Sequence, residues 1–124
     1  MIRKAKIIVL DDEPNIVEVI LARLDALGFW ARGFTAAAQA LDALKSDSFH
    51  VLLTDLKMPD MDGMEVLKQA RQIDPDIEVI IFTAYGSIEG AVEAMKQGAH
   101  DYLVKPFEPI ELIAKIESAV EKRD

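Results

Sequence analysis

Cysteine is absent from the 124 residues. That excludes a disulfide framework and every thiolate metal site. Nor does any apolar run approach the ~20 residues that a membrane-spanning helix needs. The opening stretch, MIRKAKIIVLDDEP, starts with basic residues as a secretory leader does. Its apolar part, Ile7–Leu10, is far too short for a leader's core and ends in acids, which argues against that reading. A basic excess is missing too: the formal net charge is −8, so no direct nucleic-acid contact is expected. Repeats, linkers and low-complexity segments are lacking. These absences describe a cytoplasmic chain with no membrane contact, read as one domain over residues 1–124. A chain of this length buries about two-thirds of its unfolded surface, enough for one core.

What is present is alternation. Lys6–Leu10 (KIIVL) is a short β-branched run suited to a strand buried on both faces. Pro14 suits the first turn of a helix whose apolar positions are Ile16, Val17, Ile20, Leu21, Leu24 and Leu27, with Gly28 as its stop. A second strand is expected over 29–34, and Thr35 is placed to cap the alanine-rich helix that runs to about Lys45. Residues 51–54 form a third strand ending at Asp55. After Pro59 and Gly63, which is expected to supply a positive φ, a helix covers 64–73 and Pro75 bars its continuation. Residues 79–82 make a fourth strand ending at Thr83. Ser87 caps the next helix, and Gly98 closes it. A fifth strand, 102–104, ends at Lys105-Pro106, and Pro109 opens a last helix with Ile110, Ile113, Ile116 and Val120 on one face.

Five strand–helix units in a row predict a parallel sheet covered on both faces by right-handed crossovers. Such sheets bind ligands beyond the carboxyl ends of their strands. Just past those ends stand Asp11, Asp12 and Glu13, then Asp55, then Thr83, then Lys105. Four strands thus bring reactive polar groups to one edge.

Two carboxylates about 4 Å apart repel by a few kcal/mol at an effective dielectric near 20, so the cluster of Asp11, Asp12 and Asp55 calls for a cation. Hard oxygen ligands with room for water suit Mg²⁺, and Mn²⁺ can stand in. An adjacent Asp pair can also simply offset a helix dipole; Asp55 on a neighbouring strand favours the metal. Asp55 is the candidate nucleophile, since a carboxylate can form an acyl phosphate. Lys105, the Thr83 hydroxyl and the Ala84 backbone N–H are candidates to neutralise the phosphoryl oxygens. Taken singly, Thr83 could be no more than a strand former and Lys105 a salt-bridge partner. Together those bland readings would leave an unneutralised acid cluster without purpose. His50 and His100 have no partner at ligand spacing and read as structural or surface residues, as Trp30 and Met58 read as packing or loop residues.

Four segments carry a resemblance: IIVLDDEP at 7–14, LLTDLKMPDMDG at 52–63, FTAYGS at 82–87 and GAHDYLVKPF at 98–107. The chain resembles the receiver domain of two-component response regulators over essentially its whole length. AVEAMKQGAHDYLVKPF is most like receivers of the nitrogen-regulation type, found in activators of sigma-54 transcription. The resemblance implies a flavodoxin-like three-layer (βα)5 fold with strand order 2-1-3-4-5. It implies Asp55 as the phosphoacceptor for a sensor histidine kinase. Mg²⁺ would be held by Asp11, Asp12, Asp55 and the backbone carbonyl of Lys57. Thr83, Ala84 and Lys105 would bind the phosphoryl group, and Tyr102 would be the switch aromatic, turning inward from an exposed rotamer. A cis peptide would join Lys105 and Pro106, and Lys57 and Tyr85 would tune dephosphorylation. The surface of the fourth helix, fifth strand and fifth helix would switch and could pair with a second copy, controlling an output in transcription. The chain would modify itself rather than turn over an external substrate.

Three other classes are weighed against this. A phosphatase of the haloacid dehalogenase type expects Asp-x-Asp on one strand, whereas this chain has Asp55-Leu56-Lys57. A flavodoxin-like cofactor binder needs a hydroxyl-rich phosphate loop where Asp11-Asp12-Glu13 would repel the ligand. A receiver that is never phosphorylated is opposed by the intact set Asp11, Asp12, Asp55, Thr83 and Lys105.

Overall fold

The computed structural model describes residues 5–84, 86–105 and 108–123. Tyr85 and Pro106, and with them the proposed cis bond, lie outside the described residues. The elements run β1 (Lys6–Leu10), α1 (Pro14–Ala26), β2 (Trp30–Phe34), α2 (Ala37–Ser46), β3 (Val51–Asp55), α3 (Gly63–Ile73), β4 (Glu78–Thr83), α4 (Ile88–Lys96), β5 (Asp101–Val104) and α5 (Pro109–Arg123). All five strands are parallel in the order β2-β1-β3-β4-β5.

Strand alternation sorts the core into two layers. Ile8, Leu10, Leu52, Val79 and Ile81 face one side and meet Ala40 and Leu44 of α2, Val66, Leu67 and Ala70 of α3 and Ala94 of α4. Ile7, Val9, Val51, Leu53, Ile80, Phe82 and Leu103 face the other and meet Ile20 and Leu24 of α1 and Leu112, Ile116 and Ala119 of α5. β1, β3 and β4 are therefore buried on both faces, which is why they read as unbroken apolar runs.

The helix ends follow local chemistry in most places. Pro14 stands in the first turn of α1, and Gly28 follows its end with φ of 88°. Ser87 accepts a hydrogen bond from the Gly90 N–H at the start of α4, and Gly98 follows that helix with φ of 101°. Asp62 accepts from the Glu65 N–H and caps α3.

Four expectations are corrected. Thr35 does not cap α2: the N-cap position is Ala36, and the Ala37 N–H is met instead by Asp60 Oδ2 at 2.8 Å, from a loop 23 residues away. Gly63 has no positive φ. Its requirement is for space, because a Cβ there would collide with the Asp55 carbonyl oxygen and lie 2.9 Å from Leu56 Cα. Of the expected α5 stripe, Ile116 is fully buried and Ile113 and Val120 pack partly buried beside it, but Ile110 is 80% exposed and Leu112 and Ala119 complete the buried face instead. Leu27 falls past the end of α1 and is exposed.

Candidate functional site

The carboxyl ends of β1, β3, β4 and β5 lie side by side, because parallel neighbours in register end together: Leu10 pairs with Thr54, Asp55 with Phe82 and Thr83 with Val104. At these ends, carboxylate oxygens of Asp11, Asp12 and Asp55 come within 4.8 Å of one another. Asp11 is fully buried, Asp55 nearly so, and Asp12 is half-buried at the mouth. Backbone donors hold two of these side chains: Asp11 Oδ1 accepts from the Glu13 N–H at 2.9 Å, and Asp55 Oδ1 accepts from the Leu56 N–H at 2.8 Å.

Lys105 crosses the edge from the end of β5. Its Nζ donates to Asp11 Oδ2 at 2.8 Å and stands 3.7 Å from Asp55 Oδ2. The same ammonium lies 4.7 Å from the centroid of the Phe82 ring, so its stem runs over β4. Its backbone N–H donates to the Thr83 carbonyl at 2.8 Å, which ties the two strand ends together.

Burial, with the neighbouring Asp11 charge, pushes the Asp55 carboxyl above its usual range. Lys105 and the Leu56 N–H pull the other way without cancelling the effect, and Asp12 adds to the rise. The Lys105 ammonium thus pairs with two of the three clustered acids. The donor set of hard carboxylate oxygens, with one member reaching solvent, fits a small divalent cation such as Mg²⁺.

Thr83 is fully buried at the end of β4, next to the strand that ends in Asp55. Ala84 is exposed on the loop that follows, and Lys57 is exposed on the loop after β3. Tyr102 differs from the expected exposed rotamer. Its ring packs on the α2–α3–α4 layer, and its hydroxyl is buried without a hydrogen-bond partner among the described residues. Gly90 makes room for it, since a Cβ there would lie 2.9 Å from the Tyr102 hydroxyl.

Two arrangements escaped sequence reasoning. Asp60 caps a helix from a distant loop. His100, expected to be a structural or surface residue, is structural, but its partners were not foreseen: Nδ1 faces buried Glu78 at 3.4 Å and Nε2 meets Ser118 Oγ at 3.1 Å, at the opposite end of the sheet. His50 Nδ1 accepts from the Lys6 N–H at 3.1 Å, a structural role as read, while Trp30 is more than half exposed on the edge strand β2. No local sequence pattern marks these pairs, because their members come from different elements.

The response regulator receiver domain family matches residues 7–117. The DNA-binding transcriptional regulator NtrC of Proteus hauseri is 42% identical over 118 residues, which are 95% of this chain and 25% of that protein. The transcriptional regulatory protein FixJ of Bradyrhizobium diazoefficiens is 40% identical over 124 residues, 100% of this chain and 60% of that protein. The chain spans less than two-thirds of either relative. Among solved structures, the beryllofluoride-activated NtrC4 receiver domain dimer superposes with a TM-score of 0.91 at 32% identity, covering 96% of this chain and 98% of that one. Agreement of this extent, in sequence along nearly the whole chain and in strand order, places the chain in the response regulator receiver domain family, among the NtrC- and FixJ-type receivers of two-component systems.

Proposed function

We propose that Asp55 is the phosphoacceptor of this receiver and that residues 1–124 form one receiver unit. The observation that carries the reading is the position of Lys105, which reaches from β5 to the carboxylates of Asp11 and Asp55 in the acid cluster they form with Asp12. When bound by Asp11, Asp12, Asp55 and the Lys57 carbonyl, Mg²⁺ supplies positive charge to a phosphoryl oxygen, and Mn²⁺ can replace it.

The chain's own groups do the rest. An Asp55 carboxylate oxygen attacks phosphorus and forms a P–O bond. The P–N bond to the donor histidine of a sensor kinase breaks, and the imidazole leaves with the electron pair. Lys105, relieved of part of its pairing to Asp11, meets a second phosphoryl oxygen. The Thr83 hydroxyl and the Ala84 N–H meet a third. The reaction modifies the chain itself and turns over no external substrate. Lys57, exposed two residues past Asp55, tunes the hydrolysis of the acyl phosphate, as does Tyr85.

Movement of Thr83 toward the phosphoryl group changes the support of the neighbouring β5, and Tyr102 couples that change to α4. Ile88, Val92, Met95, Val104 and Ile110 are exposed apolar residues on α4, β5 and α5. They form the surface through which a phosphorylation-dependent homodimer assembles, in line with the receiver dimer of NtrC4. The output is regulation of transcription, as the names of the relatives suggest, and the site of action is the cytoplasm.

Mass measurement after incubation with acetyl phosphate and Mg²⁺ tests the acceptor. The parent gains one phosphoryl group and Asp55→Asn gains none; equal labelling of both would refute the assignment. Light scattering with and without beryllofluoride tests the dimer.

A further inference from the structure

On the metal reading above, the loop between Asp55 and α3 would present the backbone carbonyl of Lys57 to the metal. Its start and end are held by its own residues: the Gly63 N–H donates to the Leu56 carbonyl at 2.7 Å, and Asp62 caps α3. Leu56, Met58 and Met61 pack its apolar side on the core. Asp60, although exposed, reaches out of this loop to the Ala37 N–H at 2.8 Å.

That contact meets a need of α2. The N-cap residue Ala36 has no side-chain acceptor, and no acid stands in the first turn of the helix. A carboxylate at a helix N-terminus satisfies an orphan N–H and faces the positive end of the dipole. Asp60 therefore closes α2 and, by the same bond, ties the metal-facing loop to a helix that packs on β1 and β2.

We propose that Asp60 is a positioning residue for the metal site: its bond to Ala37 holds the loop that carries the Lys57 carbonyl. The inference rests on the Mg²⁺ reading above. Groups that orient a metal ligand without touching the metal commonly change affinity by about tenfold or more when removed.

The test separates loop positioning from simple capping. Mg²⁺ affinity is measured by calorimetric titration of the whole chain, and melting temperature by circular dichroism without metal. Asp60→Ala lowers the melting temperature and weakens Mg²⁺ binding about tenfold. Asp60→Asn, which retains an acceptor oxygen, keeps both near the parent. Adding Ala36→Asp to Asp60→Ala gives α2 a cap of its own, since Ala36 already has the extended backbone of an N-cap (φ −126°, ψ 132°). In that double variant the melting temperature recovers and the Mg²⁺ affinity does not. Full recovery of both, or unchanged Mg²⁺ affinity in Asp60→Ala, overturns the inference and leaves Asp60 a cap alone. A parent that binds no Mg²⁺ overturns the metal reading and this inference with it.

Discussion

Replacing Lys105 by Met keeps most of the stem that lies over Phe82 and removes the charge. In the parent, the ammonium is 2.8 Å from Asp11 Oδ2 and 3.7 Å from Asp55 Oδ2, and Asp11 has no exposure at all. Removing one partner of a buried pair costs about 3–5 kcal/mol, because the remaining charge is left uncompensated. The Lys105 side chain keeps 20% exposure, so the lower end applies, about 3 kcal/mol. In urea, with a slope of about 1.5 kcal/mol/M for a domain of this size, the midpoint falls by about 2 M. Mg²⁺ should close most of that gap. It supplies the missing charge, and it no longer competes with an ammonium for Asp11, so the variant gains more from the metal than the parent does. In excess metal the gap narrows by RT ln of the ratio of parent to variant dissociation constants, so closing about 2.7 kcal/mol of it needs a variant that binds about a hundredfold tighter. Asp11→Asn combined with Lys105→Met should recover much of the loss without metal, since no buried charge at Asp11 then lacks a partner. The assay is urea unfolding followed by far-ultraviolet circular dichroism, in chelator and in excess Mg²⁺. A loss below about 1 kcal/mol in chelator would place the pair with solvent-screened surface bridges. A loss that Mg²⁺ leaves unchanged would refute the shared-cluster reasoning.

Other outcomes follow from the same geometry. The Asp55 carboxyl is raised above 3.8 by burial and by Asp11. It therefore holds its proton more tightly in the folded state, so its ionisation costs stability above the raised value and that cost disappears as pH falls through it. Without metal, Asp55→Asn should unfold at higher urea than the parent at neutral pH, and the difference should shrink in acid. Mg²⁺ affinity of the parent should fall over the same acid range, as titration calorimetry at several pH values would show. Gly63→Ala places a methyl group against the Asp55 carbonyl and Leu56 Cα. A destabilisation of about 1–3 kcal/mol with weaker Mg²⁺ binding is expected, and an unchanged midpoint would show that the loop yields easily. His100→Phe removes the imidazole 3.4 Å from buried Glu78 and leaves the Lys122 ammonium 3.8 Å away. Urea unfolding should show a loss of about 1–3 kcal/mol that Glu78→Gln largely repairs; a loss that persists in the double variant would assign it to packing.

The sequence alone carried the main design for a physical reason. In a parallel sheet the carboxyl ends of the strands share one edge, so Asp11, Asp55, Thr83 and Lys105 could be assigned to a common place from their positions after apolar runs. Pro14, Gly28, Ser87 and Gly98 marked helix ends because their effects act within a few residues. Only the folded molecule decided what depends on contacts between distant elements. It gave the cap of α2 to Asp60 rather than Thr35, and it paired His100 with Glu78. It made Gly63 necessary for the space it leaves rather than for its torsion, and it closed Tyr102 against Gly90. It also turned Leu112 rather than Ile110 toward the sheet. Local pattern says which groups lie near the edge; packing in three dimensions decides which atoms touch, and hence which charge on the chain answers the acids of the pocket.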